Sequence, residues 1–197
     1  MVKAAKERRC PWCTSDPLYI EYHDREWGIP VSNEQALFER LVLEGMQAGL
    51  SWLTVLKKRH HMRERFYDFD PQRLVEAGDQ DLPGWLDDAG LIRHRGKLES
   101  MINNARRVIE LDGQFAGLLW SFVDGAPRQN RFRSVREVPS KTLESKAMAR
   151  RLKQEGFRFV GPTTCYALMQ SAGLVNDHLV SCDAFESCRE TGSSWTL

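Results

Sequence analysis

Two pairs of candidate metal ligands lie at opposite ends of the 197-residue sequence. Cys10 and His23 are near the start. His178 and Cys182 are four positions apart near the end, on one face if that segment is helical. Two thiolates and two imidazoles complete a tetrahedral Zn²⁺ site and leave no position for a water molecule. The four residues could hold one structural zinc ion that joins the two ends of the chain, but lone cysteines and histidines are more often ordinary core or surface residues, so both interpretations stand at this point.

Cys13 is an alternative candidate for this set of ligands. It forms a C-x-x-C motif with Cys10, so it could replace His23 as a ligand, or the two thiols could form a redox pair. A redox motif needs a helix N-terminus after a strand to lower the thiol pKa. The preceding residues, MVKAAKERR, do not have a strand pattern. The motif therefore favours metal binding over redox chemistry.

Large aromatic side chains crowd the first 52 residues, and they could form a stacking pocket. Most buried aromatic residues serve only core packing, so both interpretations stand at this point. The five residues are Trp12, Tyr19, Tyr22, Trp27 and Trp52.

A glycine-bearing link between two helical patterns is a third candidate site. The first pattern ends at Gly156, and a second glycine, Gly161, precedes Pro162 at a new helix start. Unpaired backbone N–H groups at such a start can bind a phosphate. Helix–turn–helix corners without any ligand are far more common, so the residues alone favour an ordinary corner.

Composition limits the class of protein. Apolar residues make up 42% and charged residues 28%, which is typical of a folded chain. A net charge of +1 means that any nucleic-acid site must arise from local clustering. No apolar run approaches the roughly 18 residues of a membrane span, and the basic start leads into no signal core. Five cysteines are an odd number for a disulfide framework. We expect a cytoplasmic protein that makes no membrane contact.

Helical periodicity dominates the elements that must position these residues. Ser32 and Gln35 form a capping-box pattern before one helix, and Asp70 precedes a proline at the start of another. Strand patterns are few, and residues 124–139 are typical of a loop or an inter-lobe crossing. The fold class expected from these patterns is all-α.

Several segments together resemble the 3-methyladenine DNA glycosylase I family. They are residues 10–12, 16–28 (DPLYIEYHDREWG), 43–52 (LEGMQAGLSW), 89–97 (AGLIRHRGK), 120–122, and 156–161 (GFRFVG) through to 176–178. The resemblance runs from about residue 10 to residue 182, in the family's order and spacing.

The resemblance implies a helix-hairpin-helix DNA glycosylase fold with two helical lobes. The whole chain, 1–197, would be a single glycosylase domain, with the helix-hairpin-helix region at about 143–173 and disordered or variable ends at 1–8 and 186–197. The implied zinc ligands are Cys10, His23, His178 and Cys182, which would clasp the terminal segments together. A monomer is expected.

The resemblance also implies the reaction and its residues. The enzyme would flip 3-methyladenine out of alkylated double-stranded DNA and hydrolyse its N-glycosidic bond, leaving an abasic site and free 3-methyladenine. Glu44 would be the catalytic residue and would bind the base with Tyr22, while Trp52 would stack on the ring. Trp12, Tyr19 and Trp27 would form the walls.

Contacts with DNA would come from the hairpin and from one leucine. Gly161 and Thr163 would bind the backbone, and Leu50 would either fill the gap left by the flipped base or pack in the core. Asp177 fits best beside the zinc site and less well as a water-activating base. A zinc-stabilised module that binds distorted DNA without cleaving it is the alternative function.

Overall fold

The computed structural model describes residues 8–195 and residue 197. Within that part of the chain there are nine α-helices and two short strands, so the expected all-α class is confirmed. The helices are α1 (Pro17–Arg25), α2 (Glu34–Gln47), α3 (Trp52–Arg65), α4 (Pro71–Asp87), α5 (Arg95–Glu110), α6 (Phe115–Trp120), α7 (Leu143–Gln154), α8 (Pro162–Ser171) and α9 (Ala184–Ser193). Strands β1 (Arg128–Gln129) and β2 (Val175–Asn176) pair in parallel.

Several helices begin directly after a residue whose side chain accepts a hydrogen bond from an N–H group of the first turn. Asp70 caps α4 through its carboxylate, as its position before proline predicts. The predicted capping box of Ser32 and Gln35 is wrong, because Asn33 is the N-cap of α2 and its Oδ1 accepts from Ala36 N at 2.9 Å. Asparagine and serine are about equally good N-caps, so composition alone could not choose between the neighbours.

Helix α2 runs through the core between two helix pairs, α4–α5 and α7–α8. One apolar cluster extends from this helix to β2 and includes Leu37, Phe38, Trp85, Leu98, Trp120 and Leu168, all at 0% exposure. A helix with so wide an apolar surface must be covered on several sides. The position of α2 matters for the site because Glu44 lies on it.

The two ends of the chain meet. Arg8 N donates to Asp183 Oδ2 at 2.9 Å, and Asp183 N donates back to Arg8 O at 2.9 Å. The end at 186–197 is expected to be disordered or variable, and disorder is wrong for residues 186–193, because they continue α9 to Ser193 and bury Cys188. Variability of this end stays a prediction. The corresponding expectation for 1–8 lies outside the described residues except for residue 8.

Helices α7 and α8 fall inside the expected region at 143–173 and are joined by residues 155–161. None of the helices in the described chain has the length and apolar character needed to cross a membrane.

Candidate functional site

One cavity of the molecule has five aromatic side chains among its thirteen lining residues. It has a volume of about 200 Å³ and lies between α1, α2, the start of α3, α8 and the segment around residues 135–138. All five aromatic residues that the sequence singles out are brought together here. The lining consists of Trp12, Tyr19, Tyr22, Trp27, Glu44, Gln47, Trp52, Val135, Val138, Ala167, Gln170, Asp177 and Leu179.

The aromatic rings contact one another edge to face or at a tilt. Trp12 lies 4.8 Å from Trp27 and 5.4 Å from Tyr19, measured between ring centroids. Tyr22 and Trp52 are 5.2 Å apart with a 50° angle between their planes. Such arrangements fix ring positions more strongly than burial alone. The cavity therefore has firm, electron-rich walls suited to a flat ligand.

Glu44 is the acidic side chain on the α2 wall of this cavity and is only 5% exposed. Burial raises the pKa of its carboxyl to about 7, although a hydrogen bond from Ser171 and the charge of Arg40 act in the opposite direction. Arg40 is one turn earlier on α2, and its Nη1 donates to Ser171 O at 2.5 Å. The carboxyl therefore lies near the balance between its neutral and charged forms at neutral pH.

Asp177 is also in the cavity wall, but its carboxylate already accepts hydrogen bonds from other side chains. Its Oδ1 accepts from Asn130 Nδ2 at 2.6 Å, and its Oδ2 accepts from Tyr166 OH at 2.5 Å and from Gln170 Nε2 at 2.7 Å. Three donors use most of the acceptor capacity of one carboxylate. This arrangement suits an orienting group for Gln170 better than a base that activates water.

Several lining residues were not found from the sequence. Gln47 lies in the 43–52 motif three positions after Glu44, a spacing that places both on one helix face, so a signal was available. Ala167 and Gln170 have the same spacing on α8. Val135 begins a three-residue 3₁₀ helix (Val135–Glu137) and Val138 follows it; so short a segment shows no periodicity, so nothing in the sequence pointed to these two residues.

The four expected metal ligands form a second, buried cluster beside the cavity. Their ligand atoms all lie within 4.8 Å of one another. The Sγ of Cys182 is 3.5 Å from His23 Nε2 and 3.6 Å from His178 Nδ1, and the Sγ of Cys10 is 3.6 Å from His178 Nδ1. An S–N edge of about 3.5 Å is what a tetrahedral zinc site requires. The donor set and its dimensions therefore fit Zn²⁺.

Outer contacts orient both histidines for this role. His23 Nδ1 is 2.7 Å from Asp24 Oδ1, and His178 Nε2 is 3.0 Å from Trp27 O, so each ring has its second nitrogen on an acceptor. Metal-bound histidines commonly have this outer partner. A hydrogen bond from Cys10 and others from both rings lower the pKa of the Cys182 thiol, while the same contact with Cys182 and burial raise the pKa of the Cys10 thiol.

Cys13 is not part of this cluster. Its Sγ lies 3.7 Å from the carbonyl oxygens of Thr14 and Tyr19, and its backbone N donates to Cys10 O in a turn before α1. The interpretation in which Cys13 replaces His23 is therefore not supported by the geometry. Residues 8 and 9, the described residues that precede the C-x-x-C motif, form no strand, which also disfavours a redox pair.

The expected DNA-contact residues lie outside the cavity lining. Gly161 is the N-cap of α8 without any side-chain hydrogen bond, and no atom lies within 4 Å of a Cβ built on it. Thr163 in the first turn is exposed. Leu50 is on the turn between α2 and α3 and is 41% exposed, so the interpretation as a core leucine is wrong.

Comparison with known proteins gives one consistent result. The family model described as "Methyladenine glycosylase" matches residues 12–186. The chain is 47% identical over 177 residues to DNA-3-methyladenine glycosylase 1 of Escherichia coli (strain K12), covering 88% of this chain and 95% of that protein. A crystal structure of 3-methyladenine DNA glycosylase I superposes with a TM-score of 0.87 at 48% identity, covering 89% of this chain and 98% of the other.

A structure of the Staphylococcus aureus enzyme, described as the structural basis of 3-methyladenine recognition, is also similar. Its TM-score is 0.85 at 36% identity, with 89% of this chain and 95% of the other covered.

Proposed function

The chain belongs to the methyladenine glycosylase family, and we propose that its aromatic cavity receives 3-methyladenine flipped out of alkylated duplex DNA. It is a DNA repair enzyme that hydrolyses the N-glycosidic bond of this base. The observation that carries the assignment of the site is a buried acidic residue, Glu44, within a cavity lined by aromatic rings.

Methylation at N3 determines what the cavity must do. The methylated base is cationic in DNA and leaves as a neutral purine, so its bond is weakened before the enzyme acts. The enzyme therefore needs little protonation of the leaving group and gains most by holding the flipped base in a reactive orientation. Aromatic faces attract a cationic ring, and we assign stacking to Trp52. The walls would be Trp12, Tyr19 and Trp27.

Glu44 is proposed as both the catalytic and the base-binding carboxyl. A carboxylate in a sheltered cavity attracts the cationic base more strongly than one in water. Its oxygen can accept from the exocyclic amine, and its protonated form can donate to N7, which matches a pKa of about 7. Tyr22 lies beside it, at 4% exposure.

The surface around the cavity would hold the duplex. The first turn of α8, with Gly161 and Thr163, offers backbone N–H groups and a helix dipole to a phosphate. Contacts of this kind hold DNA without reading its sequence. Leu50 projects from the adjacent turn and would fill the gap that the flipped base leaves. A helix-hairpin-helix element in this role is part of the proposal.

One structural Zn²⁺ is proposed at Cys10, His23, His178 and Cys182. Four protein ligands leave no open coordination position, so the ion stabilises the joined ends and takes no part in hydrolysis. Free thiols of this kind fit a reducing compartment, and we expect the protein to act as a monomer in the bacterial cytosol.

Release of free 3-methyladenine from methylated DNA by the purified protein tests the proposal. Wild type and Glu21→Gln, which alters an exposed carboxylate on α1, should release the base, and Glu44→Gln should release it at least about a hundredfold more slowly. If wild type binds an abasic duplex but releases nothing, the protein is the non-cleaving DNA-binding module instead. Equal release by Glu44→Gln and wild type would remove Glu44 from the mechanism.

A further inference from the structure

Helix α5 contacts both parts of the proposed DNA-binding surface. At its start, the Lys97 ammonium donates to Met46 O at 2.8 Å and to Ala48 O at 2.6 Å. The Met46 carbonyl is in the last turn of α2, and the Ala48 carbonyl belongs to the first residue of the Leu50 turn (residues 48–50). Two turns later on α5, Asn104 donates from Nδ2 to Arg158 O at 3.0 Å and accepts from Arg158 N at 2.8 Å.

The second contact holds the hairpin that precedes α8. Asn104 binds both backbone groups of Arg158, and the next residue, Phe159, has a positive φ of 57°. Its Cβ lies 3.6 Å from a Cβ built on Gly45, and its ring lies 3.9 Å from one built on Gly96. A Cβ atom at either of these two positions would make ordinary van der Waals contact with Phe159. The hairpin is therefore closely fitted to α2 and α5.

Lys97 is unusual among lysines because it is only 6% exposed. Burial lowers the pKa of its ammonium, yet two carbonyl oxygens at a helix C-terminus are suitable partners for a positive charge. The turn it holds contains Gly49 at a φ of 78° and has Leu50 N donating to Gln47 O at 2.7 Å. Lysine is rarely buried without such a specific role.

Asn104 is seven positions after Lys97, which is two helical turns and about 10 Å along the axis. The same face of one rigid helix thus supports the Leu50 turn at one point and the hairpin at the other. A wedge can enter the duplex at the correct base step only if its distance from the bound phosphate is constant. Helix α5 supplies that constant distance.

We propose that Lys97 is a positioning residue for base flipping: its ammonium fixes the Leu50 turn at a set distance from the phosphate-binding hairpin. The inference rests on the proposed function, and it extends the machinery to a side chain that contacts neither the base nor DNA. Since Lys97 acts through Leu50, its loss impairs flipping but leaves the base cavity intact. Small misplacements of this kind can slow a reaction by up to about a hundredfold.

Lys97→Met keeps the aliphatic chain and removes the ammonium, and Lys58→Met is its matched control. Lys58 also donates to two backbone carbonyls, those of Ala89 at 2.8 Å and Gly90 at 3.1 Å, away from the Leu50 turn. Two quantities are measured: kcat for release of 3-methyladenine from methylated duplex DNA, and the Kd of free 3-methyladenine by tryptophan fluorescence. Lys97→Met should lower kcat by about 10- to 100-fold with an unchanged Kd. Lys58→Met should change neither.

A double variant distinguishes positioning from general loss of structure. On a Leu50→Ala background, Lys97→Met should lower kcat by less than about twofold, since the wedge it serves is already gone. If Lys97→Met lowers kcat by the same factor with and without Leu50→Ala, the inference is overturned. It is also overturned if Lys97→Met has the same kcat as Lys58→Met. If Lys97→Met does not fold, Lys97→Gln is measured with the same outcomes. Failure of wild type to release 3-methyladenine would instead overturn the proposed function.

Discussion

Replacing Glu44 with glutamine is expected to stabilise the protein at alkaline pH while removing most of its activity. Burial raises the pKa of this carboxyl from its ordinary value of 4.5 to about 7. A carboxyl whose pKa is raised by folding favours the folded state least when it is charged. This carboxyl does not destabilise the folded state below about pH 4.5, and the destabilisation grows as the pH rises through the folded-state pKa.

The size of the effect follows from the two pKa values. Their difference corresponds to about 3 kcal/mol once the carboxyl is charged in both the folded and the unfolded state. Between about pH 5.5 and about pH 8 the cost in wild type grows by about 2 kcal/mol. Glutamine has no charge to bury. The free energy of unfolding of Glu44→Gln should therefore rise by about 2 kcal/mol relative to wild type over that interval.

Denaturant unfolding of both proteins at each pH, with zinc held constant, measures this difference. Other titrating groups contribute equally to the two proteins and cancel. Glu39→Gln is the matched control, because Glu39 is on the same helix and is 8% exposed. Burial works against its charge, but ion pairs with Arg63 and Arg59 lower the pKa of its carboxyl. Its replacement should cost about 3 kcal/mol at neutral pH. A stability difference for Glu44→Gln that stays flat with pH, or falls towards alkaline pH, would refute the reasoning.

Other perturbations test the remaining parts of the molecule. Cys10→Ser should abolish binding of one zinc per chain by metal analysis, whereas Cys13→Ser should retain it; equal zinc content would contradict the ligand assignment. Trp52→Ala should weaken binding of free 3-methyladenine by at least about fivefold in a fluorescence titration, with affinity for an abasic duplex unchanged. Gly173→Ala should lower the thermal midpoint sharply, because Gly173 has a φ of 72° and its added Cβ would lie 2.3 Å from the carbonyl carbon of Ile29. If Gly173→Ala had the thermal midpoint of wild type, the close contact with Ile29 would be contradicted.

Residue chemistry predicted the metal cluster, but not the distances within it. Cysteine and histidine are recognisable ligands in any sequence, and the spacing of His178 and Cys182 already suggested one shared surface. Their meeting with Cys10 and His23 depends on how the chain ends pack, which includes the bonds between Arg8 and Asp183. Contacts between residues that are far apart in the sequence produce no periodic pattern in it.

The errors have equally physical causes. The family resemblance ends at about residue 182 and implied no element beyond it, yet α9 forms there and buries Phe185 and Cys188. Leu50 has the same apolar character as a core leucine, and only its place on a tight turn exposes it. Val135 and Val138 reach the cavity from a one-turn 3₁₀ helix and the residue after it, and the path of so short a segment depends on tertiary contacts.

The proposed structural metal and the base cavity are mechanically connected through one short helix. Helix α1 presents Tyr19 and Tyr22 to the cavity and His23 to the metal cluster. Trp12 packs against both sites, with its ring 5.4 Å from Tyr19 and 5.0 Å from His23. A nine-residue helix is too short to be stable alone, so its position depends on such anchors. An ion with no role in hydrolysis would therefore still determine how tightly the aromatic wall closes on the base.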